Sequence, residues 1–163
     1  MPMAADQVIR QHTPLTLSAD NIDSKTGCEN IFHTIVATPT GGIGFCCGLS
    51  RERIAELNAA WPEDLGGALV KASSDFMKIW LAVDGPEKII AWAASKNPAI
   101  DWQHRFAHHC QVCLAIFDQP LVRQTIKDHW LERRDDVLMR YSLMLRREDA
   151  LRGEHALPEL EAV

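Results

Sequence analysis

The chain has 163 residues, 47% of them hydrophobic, and a formal net charge of −5. That length and apolar content suit one ordinary domain with its own core, so folding does not call for disulfides. The acidic balance excludes nucleic acid as a main partner, because neutralising phosphates needs a basic face.

Residues 1–25 are polar and without period, and read as a loose arm or the end of a linker. Met1 to Thr13 lack the apolar stretch of a secretory signal. Apolar runs such as Ile89 to Ala94 are far too short to span a membrane. The expected compartment is therefore the cytoplasm, with no membrane partner. Cysteines there act as ligands or thiols more often than as a disulfide framework.

Asn30 to Ala37 is rich in β-branched and aromatic residues and predicts a strand. Thr38 to Gly42 predicts a turn from its Pro and Gly content, and Ile43 to Cys47 the returning strand. Cys28 and Cys46 then fall near one end of a two-stranded hairpin. Ser50 is a candidate N-cap for a helix through Arg53, Ile54 and Leu57. A second helix starts at Pro62, with Leu65, Leu69, Ala72, Phe76, Ile79, Trp80 and Val83 at helical spacing. Asp84-Gly85-Pro86 ends it, and Pro86 suits the first turn of a third helix through Ile89, Ile90 and Trp92. Asn97-Pro98 closes that one. Cys110-Gln111-Val112-Cys113 falls at or near a helix start. From Gln119-Pro120 one long helix is expected to about Asp149, followed by a frayed tail over 151–163. The fold class expected is α+β: a β-hairpin and a mainly helical domain over 26–150, around one four-cysteine metal site.

Cys28, Cys46, Cys110 and Cys113 carry the chemistry. Four thiolates are the ligand set of an iron–sulfur cluster or a structural zinc. Cys-x2-Cys alone also serves thioredoxin-like redox pairs, but no βαβ pattern surrounds it here. Zinc ribbons pair two tight knuckles, whereas the first pair here spans a whole hairpin. Cys47 competes with Cys46 for the ligand role. Adjacent strand residues face opposite ways, so one of the two faces the site, and Cys46 is preferred. A metal-free reading, with all the cysteines as core thiols, also exists. His104, His108 and His109 precede Cys110 and read as surface or outer-shell groups rather than ligands. Asp101 with His104 forms only a weak acid–base pattern. Trp80, Trp92 and Trp130 read as packing.

Cys28-x12-Gly41-x4-Cys46, a helical spacer, then Cys110-x2-Cys113 resembles the twitch domain of radical S-adenosylmethionine enzymes, the short form of the SPASM domain. The resemblance covers about residues 26–120, and Ile35 to Gly42 looks like that domain's strand and turn. It implies that Cys28, Cys46, Cys110 and Cys113 hold one auxiliary [4Fe–4S] cluster, for electron transfer or structural support. It also implies a radical SAM core polypeptide as partner and a peptide or small metabolite as substrate. The Cys-x3-Cys-x2-Cys motif of that core is missing from this sequence, as are the extra cysteines of a full SPASM domain. The chain alone is therefore not expected to be catalytic. The rival from another class is a structural zinc-binding interaction module.

Overall fold

The computed structural model describes residues 16–37, 43–46, 58–59 and 65–152. The class is α+β and mainly helical. After a 3-10 turn at Ile22–Ser24 come α1 (Asn30–His33), β1 (Val36–Ala37), β2 (Ile43–Gly44) and β3 (Asn58–Ala59). Then follow α2 (Leu65–Ser73), α3 (Phe76–Lys96), α4 (His109–Asp118), α5 (Pro120–His129) and α6 (Leu131–Arg152). The three short strands form an antiparallel sheet in the order β1-β2-β3. Val36 pairs with Gly44, and Ile43 pairs with both Ala37 and Ala59.

Helix α3 is the axis of the molecule. Asp75 caps it by accepting from the Lys78 N–H at 3.2 Å. Ile79, Trp80, Leu81, Ile89, Ile90 and Ala93 of α3 are all buried and meet Val112 and Ile116 of α4, Val122 and Ile126 of α5, and Val137 of α6. Trp80 is 1% exposed, and its ring lies 5.0 Å from Trp92 and 5.5 Å from Phe76. Trp80, Trp92 and Trp130 do pack, as expected of rings this large in a helical core.

The Asp84-Gly85-Pro86 step ends one helical run and starts the next, as expected; the two runs, taken together here as α3, meet at a kink. Gly85 sits at φ 76°, outside the helical region, a conformation that glycine adopts without a Cβ penalty. Pro86 offers no N–H to the carbonyl one turn back, so the helical ladder is interrupted there. Residues 26–28 fill the interruption. The Cys28 N–H donates to the Leu81 carbonyl at 2.8 Å. Two glycines permit the crossing. A Cβ on Gly27 would lie 1.7 Å from the Ala82 oxygen, and one on Gly85 would lie 2.2 Å from the Thr26 oxygen.

Several expectations change. Asn30–His33 is helical, and the strand is confined to Val36–Ala37. The helix turns both Ile31 and Phe32 inward: Ile31 into the main core, Phe32 against both that core and a smaller one of Phe45, Ala68 and Ala72. A strand would send these neighbours to opposite faces. A third strand joins the expected hairpin. The helix expected from Pro62 to Val83 breaks between Ser73 and Phe76, and the long C-terminal helix breaks at Trp130. Residues 16–25 are anchored: Leu17 is 2% exposed, donates to the Phe106 carbonyl at 2.8 Å and accepts from the His104 N–H at 2.6 Å. The turn at 38–42, Cys47, the helix from Ser50 and the tail after Gly153 lie outside the described residues.

A second buried feature ties α6 to the bend. Asp84 is 6% exposed and accepts from Arg140 Nη1 at 2.6 Å, Arg140 Nη2 at 3.1 Å and Trp80 Nε1 at 2.9 Å. Burial acts to raise its pKa. The hydrogen bonds from Arg140 and Trp80, with the Arg140 and Arg133 charges, outweigh burial and hold it below the ordinary carboxylate value.

Candidate metal centre

Cys28, Cys46, Cys110 and Cys113 line one cavity. They reach it from three separate segments, each positioned for a physical reason. Cys28 is fixed by its backbone hydrogen bond at the bend of α3. Cys46 lies just after β2, in the main core, while Phe45 beside it enters the smaller one. Cys110 and Cys113 stand three apart in the first turns of α4, so they share one helix face.

Helix α4 starts with reciprocal caps. The His108 ring accepts from the Cys110 N–H at 3.2 Å, and Gln111 Oε1 accepts from the His108 N–H at 3.2 Å and the Ala107 N–H at 2.9 Å. The cap fixes the direction of the helix, and its positive end favours anionic sulfur nearby. Ile31, Leu81 and Pro86 make the rest of the wall apolar, with His109 at its edge. The cavity is narrow, about 10 Å³, the room of roughly one water.

None of the four cysteines is in a disulfide; Cys46 and Cys113 are buried, Cys28 and Cys110 half-buried. Burial pushes the Cys113 thiol far up, and Cys46, Cys28, Cys110 and Glu87 add to the shift. A thiol in that setting keeps its proton at neutral pH, and a soft metal binds there by displacing it. The donor types suit a thiophilic metal: four sulfurs, an apolar wall and a helix N-terminus, and a cluster of four iron and four sulfide would need the cavity to open beyond its present size.

His108, His109 and Cys110 also bring one ligand atom each to within 4.8 Å of one another. The two imidazole rings lie 4.3 Å apart. His109, read from sequence as a surface or outer-shell group, borders the thiol cavity, whereas His108 is exposed and acts as the cap. His104 is elsewhere, at φ 58° and hydrogen-bonded to Thr16 at 3.3 Å. Asp101 pairs with Arg105 at 3.0 Å, so the weak Asp101–His104 pattern takes no part in the cavity.

Two groups escaped the sequence reading. Asp84 and Glu87 flank Gly85-Pro86 and were absorbed into a helix break, yet both are buried. The one available signal was an acidic residue directly after a Gly-Pro step, which is a helix first turn. Comparison with family models, curated proteins and solved structures gave no match. Among the described residues no helix is long and apolar enough to cross a membrane.

Proposed function

We propose that the protein binds one [4Fe–4S] cluster through Cys28, Cys46, Cys110 and Cys113, as the twitch-like auxiliary portion of a radical SAM system. One observation carries the reading: four thiols from three distant segments line a single, otherwise mostly apolar cavity. The cysteine spacing that resembles the twitch domain places the cluster ahead of other soft metals. Such a cluster, when bound, supplies a one-electron carrier. Four thiolates leave no iron open, so the role is electron transfer or structural support. Ile31, Leu81 and Pro86 keep water from the buried Cys46 and Cys113, which lowers the local dielectric on that side of the site. The partner this reading requires is a radical SAM core polypeptide acting on a peptide or small metabolite.

A second reading is a structural zinc in an interaction module; the His108, His109 and Cys110 ligand atoms, within 4.8 Å of one another, favour a single ion at this edge of the cavity. Anaerobic reconstitution separates the two. The cluster reading expects about four iron and four sulfide per chain with broad visible absorption, lost in Cys113→Ala. One tightly held zinc and no stable cluster would select the second reading. Neither reading gives the isolated chain reductive cleavage of S-adenosylmethionine. Production of 5′-deoxyadenosine above the no-protein control would overturn both.

A further inference from the structure

The edge of the thiol cavity carries a donor set of its own. One ligand atom each from His108, His109 and Cys110 lies within 4.8 Å of the other two. The two imidazole rings lie 4.3 Å apart and 31° from parallel. Imidazole and thiolate together suit a borderline-soft divalent ion. Exposure falls stepwise along the set: His108 is exposed, His109 and Cys110 are half-buried, and Cys113, one helical turn on, is buried. His109 and Cys110 both line the thiol cavity. The outer set and the cavity therefore share Cys110. An ion arriving from solvent meets the imidazoles before it meets Cys113 or Cys46.

The cap of α4 makes the outer set a temporary stop. His108 Nδ1 accepts from the Cys110 N–H at 3.2 Å. A neutral imidazole that accepts through Nδ1 carries its proton on Nε2. Its single free lone pair is therefore the one that holds the cap. An ion bound by His108 takes that lone pair and leaves the Cys110 N–H without its acceptor, which gives up the stabilisation of an N-cap. The inner thiols carry no such penalty. Cys110 keeps its hold on the ion, sulfur replaces nitrogen, and the imidazole returns to the cap.

We infer that His108, His109 and Cys110 form the entry site for a single borderline-soft divalent ion, zinc or ferrous, which passes through the shared Cys110 to the thiols behind it. In the transfer the two metal–nitrogen bonds break and bonds to sulfur form in their place. Each thiol that joins releases its proton to solvent, and the ion keeps its oxidation state. This route rests on the four-thiol reading and adds the way in which that site is filled.

The test mixes the full, reduced, metal-free chain with cobalt(II) chloride under anaerobic stopped flow. Cobalt stands in for zinc, and its sulfur-to-metal charge-transfer bands report how many thiolates are bound. The wild type should pass through an early species with one thiolate and end in a thiolate-rich one. The double variant His108→Ser, His109→Ala keeps a good N-cap residue and should keep its helical circular dichroism. Its loading at limiting cobalt should slow about tenfold or more, since losing even an outer-shell partner weakens metal binding by about that factor. Its final spectrum and cobalt content should match the wild type. Cys113→Ala should form the early species and go no further. An unchanged rate in the double variant overturns the entry route alone. A changed final spectrum overturns it too, because the imidazoles would then be resident ligands. Failure of folded Cys113→Ala to form the early species removes the entry site. A wild type that halts at the early species overturns the transfer and the four-thiol reading together.

Discussion

Replacing Gly27 by alanine tests how the metal centre is built. The new Cβ would start 1.7 Å from the Ala82 carbonyl oxygen, and real Cβ atoms essentially never come closer than 3.0 Å to such a neighbour. The segment must therefore retreat from 1.7 Å to at least 3.0 Å, about 1.3 Å. The Cys28 N–H bond to Leu81, now 2.8 Å, does not survive a shift of that size. Its loss costs about 1 kcal/mol, and with disturbed packing at the bend the total is about 2–3 kcal/mol. A well-packed domain absorbs that and stays folded. A metal site does not, because ligand distances are tolerated only to about 0.2 Å. Gly27→Ala is thus expected to keep its helical circular dichroism and a cooperative, lowered Tm, while losing most of its iron or zinc after reconstitution. Normal metal loading in a folded Gly27→Ala protein would refute the claim that the crossing at Gly85 positions Cys28.

Gly66→Ala is the control: nothing lies within 4 Å of the added Cβ, so metal loading should be unchanged and stability equal or about 0.5 kcal/mol higher by helix propensity. Asp84→Ala strands Arg140 and the Trp80 N–H; it should cost about 2–3 kcal/mol in urea unfolding, less than the roughly 3–5 for fully buried pairs, because the Arg140 side chain is 34% exposed and can rehydrate. The Asp84 carboxyl lies below its ordinary 3.8. Its contribution is therefore fully present above that value and is lost as pH falls through the lower folded pKa; the Asp84→Ala protein should show a smaller stability loss across that acid window. Cys110→Ala should abolish metal binding with little change in Tm of the metal-free chain, since Cys110 is only half-buried; an unchanged metal content would remove it from the ligand set.

The helical part was legible because its signals are local. Pro120 marks the start of α5, Asn97-Pro98 the end of α3, and Cys110 falls at the start of α4, whereas the breaks before Phe76 and at Trp130 interrupt continuous apolar spacing and carried no such signal. The Gly85-Pro86 step was legible as the end of one helical run and the start of the next, because glycine and proline act through the local backbone. Asn30–His33 was misread because β-branched content speaks for a strand, while burying Ile31 and Phe32 together favours a helical turn. The four-cysteine set was visible as spacing. Its gathering at one site was expected as well; the route was not, because it depends on Gly27 meeting Ala82, a contact 55 residues apart that no local pattern announces. Glu87 was hidden for a related reason: an acidic residue in a helical pattern is usually solvated, and only the fold of residues 24–30 across it makes it buried.

The order in which the thiols enter the chain has a consequence for how the protein assembles. Three links join them along the sequence: 18 residues from Cys28 to Cys46, 64 from Cys46 to Cys110 and 3 from Cys110 to Cys113. The last is closed by one helical turn and adds almost no loop entropy. The other two close long loops, and any ion or cluster gripping all four sulfurs cross-links them. Loop-closure cost grows only logarithmically with length, so each link removes a few kcal/mol of chain freedom from the unfolded state, on the order of 3–4 kcal/mol by analogy with disulfide-bounded loops. The two long loops run from Cys28 to Cys46 and from Cys46 to Cys110, so the tether ties these N-terminal segments to the start of α4, while α5 and α6 lie outside both loops. Metal loading should therefore slow amide hydrogen exchange around Cys28 and Cys46 more than in α5 and α6, which lie outside the closed loops.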